Sequence, residues 1–217
     1  MTAERQAGIS AITFAVLFGV GSAIWGLDMP EDGTAVVDVL DFYRDTADRI
    51  VVGATLSMLG VAAFLWFAAA FRRVLADAEG SDVLATTAFA GAILSMATGI
   101  GAESINMVAA LRAQDDELSD ELARSLFEIS QILGSTASGV GLGVFALATA
   151  AVALRSGLVL PRVVAMAFGA LGVVLLTPLS HVNWVAGAAL VVLTLVIASC
   201  SFAAAQEEPR EARRRRA

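Results

Sequence analysis

Two apolar runs, residues 83–111 and 122–154, joined by an acidic turn, constrain this chain more than any other feature. Each is too long and too apolar for a helix in a soluble core. Hydrocarbon offers the backbone no water, so an apolar stretch of about 18 residues or more reads as a membrane-spanning helix. On the first run Gly91, Ser95, Gly99 and Glu103 recur every four residues and share one stripe, which Asn106 extends. On the second, Glu128, Gln131, Ser135, Gly139 and Gly143 follow three- and four-residue steps, polar residues first and small ones after. Antiparallel pairing of the two sets polar beside polar and small beside small. Small residues let helix backbones approach closely in lipid, where packing and interhelical hydrogen bonds replace the hydrophobic drive.

The rest of the chain carries the same signature. Of its 217 residues 58% are hydrophobic, above the share of an ordinary soluble domain. Six apolar runs stand out, at about 9–27, 50–71, 83–111, 122–154, 163–176 and 184–204. The expected fold is therefore all-α, a polytopic transmembrane bundle of six spans over residues 1–205 with an Arg-rich tail at 206–217. The first run exceeds the 7 to 15 apolar residues of a signal-peptide core and is preceded by only one basic residue, Arg5, so it is read as a span. In the first outer loop Val36, Val39, Leu40, Tyr43 and Ala47 share a helical face while Asp38, Asp41, Asp45 and Asp48 lie largely on others, which predicts an amphipathic surface helix.

Arginine sets the orientation, because positive charge near span ends marks the cytoplasmic side. With the N-terminus inside, ten arginines fall on inner segments (Arg5, Arg72, Arg73, Arg155, Arg162, Arg210 and Arg213 to Arg216) and four on outer ones (Arg44, Arg49, Arg112, Arg124). Both termini are expected in the cytoplasm. The final arginines read as a topology anchor.

The segments Val39-Leu40-Asp41-Phe42-Tyr43, Asp48-Arg49-Ile50-Val51-Val52-Gly53, Phe64-Leu65-Trp66-Phe67, Phe71-Arg72-Arg73-Val74-Leu75, Leu154-Arg155-Ser156-Gly157 and Leu160-Pro161-Arg162 together carry a resemblance. The chain resembles a group of uncharacterised multi-pass membrane proteins of actinobacteria, a domain-of-unknown-function family. The resemblance implies a bacterial plasma-membrane protein with a similar helical bundle and brings no activity.

Composition excludes much chemistry. All fourteen basic residues are arginine, so no lysine Schiff base and no phosphate-loop lysine can form. One cysteine, Cys200, and one histidine, His181, exclude an intramolecular disulfide, a CxxC pair, a Cys/His zinc site and a bis-histidine haem. Cys200 reads as a small apolar packing residue. No cofactor or metal is expected, and no nucleic acid. The expected partners are the lipid bilayer and either another membrane protein or a second copy of the chain.

The candidate polar site comprises Glu103, Asn106, Glu128, Gln131 and His181. An ionisable side chain within a span is costly unless paired or protonated, which makes it a functional candidate by default. The competing reading is a structural hydrogen bond between spans. Gly91, Ser95, Gly99, Ser135, Gly139 and Gly143 are the candidate helix-packing residues. The glycines between 134 and 143 allow either close packing or a locally altered helix. Two functions follow. A noncatalytic structural or partner-binding bundle is the first, and a small transporter or proton- or cation-binding protein using Glu103 and Glu128 is the second. An intramembrane enzyme would have to work with Glu103, Glu128 and His181 alone.

Overall fold

The computed structural model describes residues 3–30, 34–157, 159–177, 188, 189 and 191–198, and among these the chain is all-helical. The elements are α1 (Ala3–Gly26), α2 (Val36–Glu79), α3 (Val83–Gln114), α4 (Asp120–Gln131), a π-helical turn (Ile132–Ala137), α5 (Ser138–Ser156) and α6 (Arg162–Leu175). Residues 191–198 are also helical. Four helices are long and apolar enough to cross a membrane: Arg5–Gly26, Val36–Glu79, Val83–Gln114 and the continuous Asp120–Ser156. Large apolar side chains such as Val16, Leu59, Trp66, Ile132 and Val173 point outward. An apolar exterior on this scale is what lipid covers. The protein is membrane-embedded.

Each helix packs chiefly on its chain neighbours, antiparallel, in the order α1, α2, α3, α5, α6. Glycine makes these approaches close. A Cβ on Gly21 would lie 2.6 Å from the Gly53 carbonyl oxygen, and one on Gly91 would lie 2.7 Å from that of Gly141. A Cβ on Gly143 would lie 2.9 Å from the Gly172 carbonyl oxygen. Between these contacts a layer of Phe14, Phe64, Phe67, Phe71, Phe145 and Phe168 fills the core, joined by alanines. Leu193 and Ile197 bury against the same core.

The connections follow from local chemistry. Gly80 and Gly157 close α2 and α5 in the left-handed conformation, φ 70° and 67°, which costs glycine nothing. Glu79 then caps the next helix: Oε1 accepts from the Ser81 hydroxyl at 2.6 Å and the Leu84 N–H at 3.1 Å, and Oε2 from the Ala85 N–H at 3.0 Å. The carboxylate thus satisfies two free N–H groups of the first turn of α3.

Two expectations need revision. The amphipathic segment before Ile50 does not form a separate surface helix; it is the first third of α2, which runs unbroken for 44 residues, about 66 Å at 1.5 Å per residue. No proline or glycine lies between Val36 and Gly53 to interrupt it. A hydrocarbon core of about 30 Å cannot contain that length, so one end of α2 extends beyond it. Around this extension a second hydrophobic cluster forms, in which Val39, Leu40, Phe42, Tyr43 and Ile50 of α2 meet Ala109, Ala110 and Ala113 of α3, Ala123 and Phe127 of α4, and Trp25 of α1. We call this the cap. Of the six expected spans, the last two are represented by the 14-residue α6 and by residues 191–198.

The second revision concerns the run 122–154. Buried positions step through Ala123, Phe127 and Ser130, jump five residues to Ser135, and continue through Ser138, Leu142 and Phe145. The five-residue step is the π turn. It rotates the face by one residue, so the stripe counted along a uniform α-helix does not persist through it.

Candidate intramembrane binding site

A cavity of about 450 Å³ opens where the membrane core meets the cap. Phe18, Ser22 and Trp25 of α1 form one side, and Met96, Gly99, Glu103 and Asn106 of α3 another. Gly134 of the π turn, Ser138 of α5 and Val191 and Val192 close it. Two local features make the space. Gly99 presents no side chain, and a Cβ there would meet nothing within 4 Å. The π turn brings a glycine, Gly134, to the wall at the level where α4 gives way to α5.

Glu103 supplies the charge. The residue is half-buried, while its Oε2 is fully enclosed and accepts no hydrogen bond among the described residues. The Ser57 hydroxyl of α2 approaches the carboxyl without hydrogen-bonding geometry. Trp25 Nε1, on the cavity wall, is likewise enclosed and unbonded. No ion pair among the described residues involves Glu103, and no arginine lines the cavity. Ser57 lies seven residues beyond Ile50, which places this level about 10 Å inside the cap-side end of the apolar stretch of α2.

Asn106 is the second polar group on the wall, and it is buried. Its Oδ1 accepts from the Tyr43 hydroxyl at 2.8 Å. Tyr43 is completely enclosed, with Ser130 beside its hydroxyl. The bond holds the first third of α2 to α3 and fixes the amide at the cavity edge. Gln131 lies just behind the wall, its Nε2 at 3.3 Å from Sδ of Met29, which itself lines the cavity.

The remaining candidates fall elsewhere. Glu128 is on the exposed face of α4 and pairs with Arg124, whose Nε donates to Oε1 at 2.8 Å. It does not meet Glu103. The reason is the π turn: the amphipathic α4 turns Ala123 and Phe127 inward and Glu128 outward, on a register the apolar α5 does not share. His181 and Cys200 lie outside the described residues. Among the packing residues, Gly91 touches Gly141 and Phe145, and Ser95 Oγ is 2.8 Å from Ser138 Oγ. Gly143 faces α6, Gly99 faces the cavity, Gly139 is buried in α5, and Ser135 donates to the Gln131 carbonyl at 2.6 Å within the π region. Gly141 and Ser138, rather than Gly139 and Gly143, form the α5 side of the contact with α3.

Reading the sequence missed Ser22, Trp25, Ser57 and Tyr43. One signal was present, since Gly53, Ser57 and Gly60 repeat on α2 the small-residue spacing found on α3. Trp25 and Tyr43 carry no such signal, because an aromatic residue near a span end reads as an interfacial anchor.

Compared with models of protein families, with curated proteins and with solved structures, the chain matches none of them.

Proposed function

We propose that this is a six-span protein of the bacterial plasma membrane, with both termini in the cytoplasm and the cap outside, that binds a proton or a small cation at Glu103. The observation that carries the reading is the enclosed, unbonded Oε2 of Glu103 on the wall of a cavity. A purely structural role would spend that carboxylate on a bond between helices; its α2 neighbour, the Ser57 hydroxyl, lies beside it without bonding geometry, and Oε2 has no donor among the described residues. A carboxylate without a counter-charge in a low-dielectric site gains from any proton or cation that reaches it. The same geometry favours a carrier or channel-like role over a noncatalytic bundle, with Glu103 and not Glu128 as the working group.

The orientation is supported by charge. Arg5, Arg72, Arg73, Arg155, Arg162 and the arginines of the tail stand on the side opposite the cap in this topology, against Arg44, Arg49, Arg112 and Arg124 at the cap end, where acidic residues outnumber them. Membership in the actinobacterial group of unknown function is part of the proposal. Infrared difference spectra of membrane-reconstituted protein between about pH 4 and pH 9, a window that brackets carboxyl titration in proteins, test the site. A carboxyl band present in the parent and missing in Glu103→Gln is expected; identical spectra would remove Glu103 as a titrating group. For topology, a cysteine at Asp41 in a Cys200→Ala background should react with an impermeant reagent added outside intact cells.

A further inference from the structure

The shape and lining of the cavity say more about its ligand than that it carries positive charge. We propose that the site takes a monovalent organic cation with an apolar body, such as a lipophilic amine or quaternary ammonium group. The charged centre would sit on Glu103 and the body against Phe18, Met96 and Val192. The inference rests on the reading of Glu103 as a binding group and deepens it.

Charge selects first. Among the described residues the wall holds one carboxylate and no basic side chain, so a single positive charge is balanced, and an anion would face an uncompensated like charge. Size selects next. About 450 Å³ lies within the range of small-molecule sites and far above what a bare ion occupies. Donor chemistry argues the same way: calcium takes six to eight oxygen ligands and magnesium six. Here the described lining offers one carboxylate, an amide oxygen already engaged by Tyr43, and the hydroxyls of Ser22 and Ser138, the latter paired with Ser95, which falls short of either set. The remaining surface is apolar or aromatic. Phe18 and Trp25 present rings that attract a weakly hydrated cation through their faces, an attraction strengthened by desolvation. A strongly hydrated inorganic ion would gain little from such walls. Finally, acidic residues outnumber arginines at the cap end of the helices, which raises the concentration of cations on that side of the molecule.

Equilibrium dialysis of the full chain in micelles, against protein-free micelles, tests this with two cations, tetraphenylphosphonium and benzyltrimethylammonium, and with tetraphenylborate as an anion of the same shape as the larger one. Saturable binding of at least one cation at one site per chain is expected, with none of tetraphenylborate. Glu103→Gln should weaken it about 30-fold, as loss of a desolvated charge partner does. Gly99→Leu, whose Cβ would meet nothing within 4 Å and whose side chain would take up cavity space, should weaken it while leaving the circular dichroism and elution volume unchanged. Binding of neither cation, equal binding to parent and Glu103→Gln, or equal binding of tetraphenylborate would each overturn the proposal. The infrared band separates the two levels: a titrating Glu103 without cation binding defeats the ligand class alone, whereas absence of both defeats the site.

Discussion

The membrane core and the cap are built from the same continuous helices by opposite means. In the core, helices meet through Gly21, Gly53, Gly91, Gly141 and Gly172 around a layer of phenylalanines, and one hydroxyl pair, Ser95 with Ser138, links α3 to α5. The cap is a small amphipathic assembly. Its apolar faces close over Tyr43 and Phe127, and its rim is stitched by Arg44 with Asp116, Arg49 with Asp28, and Gln114 with Asp48 at 2.7 Å. Arg49 also donates to the Ile24 carbonyl at 3.1 Å, tying α2 to the last turn of α1. The difference follows from the solvent. Lipid gives no reward for burying apolar surface, so the core relies on close contact; water does, so the cap can hold with amphipathic faces and ordinary alanines. The cavity lies at the junction, where neither mode of packing is complete.

The contrast is most exposed at glycine. Gly141→Leu should cost about 3 kcal/mol or more, because its Cβ would meet the Ser95 backbone nitrogen at 2.4 Å and a helix backbone cannot step aside cheaply. Gly99→Ala, on the stripe singled out from sequence, should change stability by no more than about 0.5 kcal/mol, since its Cβ would meet nothing within 4 Å. Thermal unfolding in detergent separates them, and equal losses would mean that contact distance does not govern the core.

A cut in the cap should be as deep locally but confined. Phe127→Ala removes an enclosed ring and should cost about 3 kcal/mol. Amide exchange should accelerate over 36–47 and 120–130 while 85–96 stays protected. Acceleration throughout would show that cap and core unfold as one unit. Tyr43→Phe comes next, at about 1–2 kcal/mol, because it leaves the buried Asn106 amide oxygen without its donor. The same exchange measurement should register it over 36–47 alone.

At the other end of the molecule, Glu79 provides a smaller, pH-dependent effect. It lies eight residues past Phe71, beyond the apolar stretch, and the Ser81 hydroxyl, joined by the Ala85 and Leu84 N–H groups, holds its carboxyl below the usual carboxylate range. A lowered folded-state value means that the contribution is present above the unfolded carboxylate value and is lost as pH falls through the folded one. Glu79→Gln should therefore flatten the acid limb of the stability curve slightly, and no change in slope would contradict the cap geometry. The smallest effect belongs to the exposed Arg124–Glu128 pair, where Arg124→Ala should cost at most about 0.5 kcal/mol and less in high salt.

Much of the architecture was legible from residue order. The apolar runs located the helices, and the amphipathic pattern over 36–47 found the face that the cap buries. Where the reading departed from the structure, it assumed regularity. It placed a boundary at Ile50 because the hydropathy changes there, although a helix can pass from water into lipid without a break. It carried a 3.6-residue register from Glu128 to Gly143 through a turn that has a different one.

What the sequence by itself determined is therefore local and periodic: helical class, membrane affinity, and the stripe from which Gly91, Ser95, Glu103 and Asn106 came. Tertiary structure alone decided which of those residues share a space. Whether a carboxylate is paired depends on groups distant in the chain, and here Ser57 of α2, Trp25 of α1 and the π turn lie around Glu103 while no arginine among the described residues lines its cavity. Helix propensity and hydropathy act over a few turns, whereas an enclosed charge is set by every element packed around it.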